Sequence, residues 1–395
     1  MNWDTFVKTS LPTRKQERFK YTDFTFLAKK TFPLAKPIDP ARLRKAIHQH
    51  RLQRGDAILL VLVNGYFMRA LSDMTKLPKQ VSVCNLSEVK TSTHWTLPID
   101  ANKYPFANLN TSLCTDGVFL QLPDHYELEM PIHLLSITLG EEEFAAHPAN
   151  LFVLGEKSKL TVVEEYFSCT DQAYLMNIVT TCILNKHADL TYYKIQQEGK
   201  KATHFSHLFI QQKQDSHVRL TSFAFGGTFA RDEIAVTLQE TGATCHTAAF
   251  YHPQQDNQYI DYHVDIHHMA PLSQSDMLYK GILENKSRAV FNGKLQVEKD
   301  AQKIVAHQAN HNLLLSHEAE VYSKPELEIY ADDVKCKHGA TTGQIDQEAL
   351  FYLRARGIEE KTAREMLLEG FSEEIMQRIT HAGVKLRVEE MVQWR

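Results

Sequence analysis

Two side chains separated by one residue, Cys336 and His338, are the pair in this sequence best suited to inorganic chemistry. A thiolate and an imidazole are soft and borderline ligands, a combination that suits zinc or iron–sulfur centres. Val334, Cys336 and His338 alternate with Lys335 and Lys337. On a strand the thiol and the ring therefore share one face, roughly 7 Å apart. Two ligands make half of a four-coordinate shell, so a closed site needs donors from a distant stretch or from a second chain. A cysteine acting as a small hydrophobe beside a turn histidine fits the same pattern.

Other histidines offer weaker constellations. In Tyr262-His263-Val264-Asp265-Ile266-His267-His268, alternation turns Val264 and Ile266 inward. His263, Asp265 and His267 then share the outer face, either as a divalent-metal patch or as a wet polar strand face. His307 and His311 are four apart, but Asn310 and Asn312 argue against a helix that would make them converge. No nucleotide, hydrolase or zincin motif occurs. Gly339-Ala340-Thr341-Thr342-Gly343-Gln344 lacks the lysine and frame of a phosphate loop, and G-x-G-x-x-G, G-x-S-x-G and H-E-x-x-H are missing.

The elements that must position Cys336 and His338 are strands. Leu327, Ile329 and Ala331 alternate with polar residues, as on a strand with one buried face. Asp332-Asp333 reads as a corner closed by its own short acidic side chains, and Gly339 and Gly343 are expected to break the second strand. Upstream, residues 118–343 read as short β-like runs between polar turns, with no long helix. Leu-Thr recurs at 160–161, 190–191 and 220–221, each time after a polar turn, and Ala289 and Ala319 echo the spacing. A fixed period in strand-rich sequence points to a β-solenoid, with a sandwich or jelly roll as the alternative.

The ends differ from this centre. Asp39-Pro40 signals a helix start, with Ala41, Leu43, Ile47 and Leu52 at helical spacing and Gly55 as the stop. The run Ile58–Val63 followed by Asn64-Gly65 reads as a strand and a tight hairpin turn. A helix is expected near 107–113, and a turn at Asp116-Gly117 before a strand at Val118–Leu122. After residue 345 the spacing becomes helical. Asp346 caps a helix closed by Gly357, a second starts at Glu359, and Ser372 is read as the cap of a third. The chain thus divides into an N-terminal helical region at 1–78, a β core at 79–345 and a C-terminal helical domain at 346–395.

Composition narrows the class. The apolar fraction of 43% over 395 residues supports a substantial core, and a net charge of −4 gives no support for nucleic-acid binding. Six cysteines without C-x-x-C spacing read as reduced thiols. The start, Met-Asn-Trp-Asp-Thr-Phe-Val-Lys, lacks an apolar signal core, and the apolar run 57–63 is far short of the ~20 residues that span a bilayer. The expectation is a soluble cytoplasmic protein that engages no membrane.

Several stretches closely resemble the SufB/SufD family of iron–sulfur assembly proteins, its SufD branch most of all. They are Phe291-Asn292-Gly293-Lys294, Gln308-Ala309-Asn310-His311-Asn312-Leu313-Leu314-Leu315-Ser316, and Cys336 with His338, Gly339, Ala340 and Thr341. The segment 11–22 resembles the SufD N-terminal signature, with a basic cluster that would be either an anion site or a solvated helix face. The resemblance implies a right-handed parallel β-helix flanked by helical regions. It implies a non-catalytic scaffold subunit that pairs through the end of its β-helix with a SufB-type paralogue. A SufC-type ATPase would dock on the C-terminal helices, and the isolated chain could form a homodimer. His338 and Cys336 would then be transient ligands at the partner junction, shared with the other chain, for iron or a nascent cluster, with no cofactor held stably. Outside the resemblance two readings stand: a carbohydrate-active β-helix lyase or hydrolase, and a metal-dependent enzyme using His263 and His267.

Overall fold

Residues 1–36, 43–52, 57–89 and 100–392 are described by a computed structural model. Asp39, Pro40, Ala41 and Gly55 of the expected first helix lie outside these residues; inside them a helix runs over Arg44–His50, with Leu43 and Ile47 buried.

From residue 118 the chain alternates between two ten-stranded sheets and winds a parallel β-solenoid of about eight turns. The strands of the first sheet run in order from Ile58–Val63 through Ile132–Thr138 to Ile304–Leu314 and Val334–Gly343. The second sheet ends with Arg288–Val297 and Glu320–Ile329. The strand at Ile58–Val63 therefore already belongs to the solenoid, although it precedes the expected boundary at residue 78. Its hairpin turn has Asn64 and Gly65 at φ 50° and 86°, as a two-residue turn between twisted strands requires. Gly117 is demanded by contact: a Cβ there would sit 1.6 Å from the Ala149 carbonyl oxygen.

The polar turns read from the sequence form one column on a corner of the solenoid. His125, Lys157, His187, Asp215, Leu272 and Lys303 all adopt left-handed backbone, with φ between 50° and 61°. Each such non-glycine residue costs about 1–2 kcal/mol. Each also donates its N–H to a carbonyl of the next coil, as Lys157 does to Lys186 (2.8 Å), His187 to Gln214 (2.8 Å) and Leu272 to Gln302 (3.0 Å). The Leu-Thr repeat is partly structural. Leu160 and Thr161 pair with Leu190 and Thr191, but Leu220 pairs with Tyr192, two residues out of step. An even slip keeps Leu220 on the inner face, so the core survives an unequal coil. Ala289 likewise pairs with Val321 and not with Ala319.

Up to their last strands, both sheets are largely buried on both faces, as parallel sheets require. Inside, Ile132, Val162, Tyr192, Ile234, Tyr262 and Phe291 belong to one continuous core. Outside, the N-terminal residues Phe6, Phe19, Phe24 and Phe106 cover Phe205 and Phe229 of the second sheet. The C-terminal helices lay Leu350, Ala363, Leu368, Ile375 and Val388 over Tyr193, Ile195, Phe250 and Leu278 of the first. Asp346 caps Gln347–Ala355 as expected, accepting from the N–H groups of Glu348 and Ala349. The second and third expected helices are one, Glu360–Met376, because the Ser372 hydroxyl donates to the Glu369 carbonyl (3.0 Å) and does not cap. A further helix, Ala382–Met391, follows. Its Arg387 donates to buried Glu165 (2.7 Å), which also receives Gln197 (2.7 Å) and contacts the His133 ring (3.2 Å), tying the C-terminal helices to the sheet.

Candidate functional site

The strand Val334–Gly343 pairs on one side only, with Ile304–Leu314, and is the last strand of its sheet. Glu320–Ile329 stands in the same position in the other sheet. These ten-residue strands form a terminal coil whose outer backbone edges are unpaired among the described residues. Val334 and Cys336 are half-buried and pack on the inner core, so the inward face holds Val334, Cys336 and, by alternation, His338. The expected sharing of one face is what the structure has. His338 is exposed because no further coil closes over it. Partial burial pushes the Cys336 thiol above its ordinary range, so at neutral pH it carries its proton until a metal or base removes it.

Three expectations about this coil change. Gly339 and Gly343 do not break the strand; they pair with Ala309 and Leu313 inside it. A Cβ at either would meet no atom within 4 Å, so nothing packed against them in this chain requires glycine. The corner at Asp332-Asp333 is present, but the Asp333 N–H is taken by the Gln302 side chain (2.9 Å) and not by an acidic neighbour. Ile329, expected inward and buried, is 36% exposed because its strand is the edge of its sheet.

Beneath His338 lies a polar floor that sequence reasoning singled out without giving it a role. Gln308 is the register partner of His338, and Gln308, Asn310 and Asn312 all point into the coil. Gln308 Nε2 donates to the Gly293 carbonyl (2.8 Å) across the interior. Asn310 Nδ2 donates to the Tyr251 hydroxyl (3.0 Å) and the Tyr279 carbonyl (3.1 Å), and Asn312 Nδ2 donates to Asn310 Oδ1 (2.8 Å). Two glycines make room for these groups. A Cβ at Gly293 would fall 2.3 Å from Gln308 Nε2, and one at Gly281 would fall 2.0 Å from the Tyr251 ring. The signal available in the sequence was the period-two spacing of three amides in Gln308-Ala309-Asn310-His311-Asn312.

The other histidine constellations do not assemble. Val264 and Ile266 point inward as expected, but the outer face carrying His263 and Asp265 is neither wet nor open: the N-terminal segment covers it. Arg18 donates to Asp265 (3.0 Å) and Glu233 (3.3 Å), and the Thr22 hydroxyl donates to Asp261 (2.7 Å). Arg231 bridges Glu233 and Asp261. Burial opposes the charge on Asp261 and Asp265, yet Arg231 beside the first and Arg18 beside the second hold both carboxyls below the ordinary range. Burial, with Arg231 nearby, pushes His263 down, and its Nε2 faces Asp261 (3.0 Å). His267 pairs instead with Glu298 (2.6 Å). Of the basic cluster of segment 11–22, Arg18 is spent on this network, whereas Arg14, Lys15 and Lys20 are exposed to solvent. His307 and His311 lie on an extended strand, about 13 Å apart by strand rise, and the His311 ring meets the Thr341 hydroxyl (2.7 Å). Among the described residues no three His, Cys, Asp or Glu side chains are grouped to hold a metal ion.

Comparison with known proteins agrees along the whole chain. The family described as the SUF system FeS cluster assembly SufBD core domain matches residues 137–371, and the SufBD protein N-terminal region matches residues 2–134. The iron-sulfur cluster assembly protein SufD of Escherichia coli is 33% identical, covering 97% of this chain and 88% of that protein. An iron-sulfur cluster assembly SufBD family protein of Synechocystis is 31% identical over 98% of this chain and 87% of its own length. A chloroplastic protein of Arabidopsis thaliana, ABCI7, is 28% identical over 97% and 82%.

Proposed function

The chain belongs to the SufB/SufD family of iron–sulfur cluster assembly proteins and is most like SufD, and on that premise we propose that it is a non-catalytic scaffold subunit whose terminal coil is completed by a SufB-type paralogue. The observation that carries this reading is the open coil itself. Two ten-residue strands end their sheets with unpaired edges, and Cys336 and His338 face the gap. Long uncovered edges invite pairing with another strand, and natural proteins blunt them, cover them or pair them with a specific chain. A paralogue with the same solenoid end offers strands of matching pitch, and backbone pairing would join the two. Gly339 and Gly343 leave space for a close backbone approach from that side.

In this reading His338 and Cys336 supply an incomplete ligand set, and the partner brings the remaining donors. Iron or a nascent cluster is the cargo held there in passing, not a resident cofactor. ATP hydrolysis belongs to a SufC-type subunit docked on the C-terminal helices, where Phe351, Tyr352 and Met366 are 73%, 58% and 44% exposed. Because those helices also cover the first sheet, Phe351→Asp and Met366→Asp test that docking more cleanly than removal of residues 346–395. The same open end would let the isolated chain form a homodimer. Among the described residues no helix is long and apolar enough to cross a membrane. The sugar-cleaving and metal-enzyme alternatives lose their support: the first to family membership, the second to the ion pairs that occupy His263 and His267.

The test is His338→Ala in cells that depend on this assembly system. The chain accumulates normally and the activity of an iron–sulfur dehydratase is lost. Normal dehydratase activity in that strain would overturn the reading.

A further inference from the structure

The two strands of the terminal coil are not equally supported. Lys335, Lys337 and Thr341 face outward along Val334–Gly343. Among the described residues Thr341 alone of these makes a side-chain hydrogen bond or ion pair, to the His311 ring (2.7 Å). Along Glu320–Ile329 every outward side chain is engaged. Three of them join the preceding coil: Glu320 meets Arg288 (3.1 Å), Glu326 accepts from Asn292 (3.0 Å) and Glu328 meets Lys294 (2.7 Å). The other two reach the N-terminal segment. Tyr322 stacks on Tyr21, with ring centres 4.8 Å apart and planes 19° from parallel, and Lys324 Nζ meets Glu17 (2.5 Å). That segment is itself fixed on the middle of the sheet. Arg18 lies on Glu233 and Asp265, the Thr22 hydroxyl on Asp261, and the Tyr259 hydroxyl donates to the Tyr21 carbonyl (2.7 Å). Two register rows connect these anchors to the edge: Arg231, Asp261, Val290 and Tyr322, and beside it Glu233, His263, Asn292 and Lys324. Four neighbouring strands make the distance spanned roughly 14 Å.

We propose that residues 17–22 are a brace: anchored on the finished coils through Arg18 and Thr22, they hold the edge strand Glu320–Ile329 in the geometry with which a second chain pairs. The inference rests on the reading that such a chain completes the terminal coil. An edge strand has half a ladder and opens at low cost. A partner that needs the strand in place binds more weakly in proportion to the time the strand spends out of place. Fixing the strand beforehand removes that loss. Of the two contacts the aromatic one carries the effect. A stacked aromatic pair is worth about 2- to 10-fold in an equilibrium constant. The ion pair adds little, because the Glu17 side chain is 68% exposed. Val334–Gly343 has no brace and carries glycines at 339 and 343, so it is the half of the coil left free to adjust. The segment 11–22 thereby does more than cover the middle of the sheet: it reaches from there to the edge where the partner arrives.

The experiment compares wild type, Tyr21→Ala and Tyr21→Phe as full-length chains, first by amide exchange in isolation and then by affinity for the purified paralogue. In Tyr21→Ala the amides of Glu320–Ile329 exchange about 2- to 10-fold faster, while those of Tyr259–His268 keep their protection. Affinity for the paralogue falls by up to about the same factor. Tyr21→Phe keeps the ring and matches wild type in both measurements. Unchanged exchange of the edge strand in Tyr21→Ala would overturn the brace. So would faster exchange spread evenly through the solenoid, which marks a general loss of stability. Faster exchange of the edge strand with unchanged affinity would overturn its part in pairing. If the wild-type chain does not bind the paralogue, the reading of the open coil fails, and the exchange comparison still decides whether the brace exists.

Discussion

The middle coils and the last coil are made from the same parts, and they are finished differently. Around Tyr259–His268 the strand is paired on both sides, its inner face is packed, and its outer face is locked under Arg18 and Thr22. Val334–Gly343 has the same length and backbone, one neighbour, and residues that are half-buried or exposed throughout. The polar groups differ in the same way. Charged residues in the middle, such as Arg231 and Glu233, have their partners inside the chain, whereas Cys336 and His338 do not complete a site alone. In a repeating fold the chemistry is thus expected where repetition stops, because only there does a neighbour remain to be supplied.

The comparison breaks first at its strongest contrast. Replacing Arg231, fully buried between Glu233 and Asp261, by Leu removes the cation that both carboxylates share, leaving Glu233 with Arg18 and Asp261 with Thr22 and His263, and costs about 3–5 kcal/mol in urea unfolding. His338→Ala changes the same measurement by less than about 0.5 kcal/mol, as expected of an exposed site. Equal losses would mean that the last coil is as integral as the middle. A matched pair of glycines sharpens the point. Gly281→Ala drives a Cβ into the Tyr251 ring and costs about 1–3 kcal/mol. Gly339→Ala meets open space and is near neutral in the isolated chain, yet weakens pairing with the partner in a pull-down. A neutral Gly281→Ala would contradict the packed interior described here.

Acid gives a smaller and more graded contrast. Burial pushes His147, His207 and His268 down to about 4. Between the ordinary value near 6.5 and pH 4 the unfolded chain binds these protons and the folded chain does not. Stability is therefore whole above about pH 6.5 and falls as the pH drops toward 4, by roughly 1–2 kcal/mol per histidine between pH 7.5 and 5. Urea midpoints across that range should show the slope, and His207→Phe should flatten it. A flat wild-type profile would place these rings in water instead of in the covered coils.

Much of this was legible because strands and turns advertise themselves locally. Polar turns such as Lys186-His187-Ala188-Asp189 marked the corner column, and alternation around Cys336 put thiol and imidazole on one face. What escaped depends on contacts between distant residues. Nothing local to His263 says that Arg18 lies over it, and nothing near Glu165 points to Arg387, so an exposed face, a wet polar one or a metal patch, was the expectation. Glycine misled at 339 because its propensity to break strands is weaker than a full ladder with the preceding coil. Ser372 misled because a hydroxyl that caps one helix can equally bond back into another. The 30-residue period was real but elastic: Thr203 pairs with Phe229, His217 with Thr244 and Arg288 with Glu320, so coils of unequal length stack while the turns between strands absorb the difference.

The most direct test of the unfinished coil is hydrogen exchange of the amides in Glu320–Ile329 and Val334–Gly343, measured on the isolated chain at low concentration and again with the SufB-type paralogue bound. The expected result is strong new protection confined to these edge strands, with the middle coils unchanged. A complex that forms while both strands exchange as fast as before would show that the open end, with Cys336 and His338 in it, is not where the second chain meets the first.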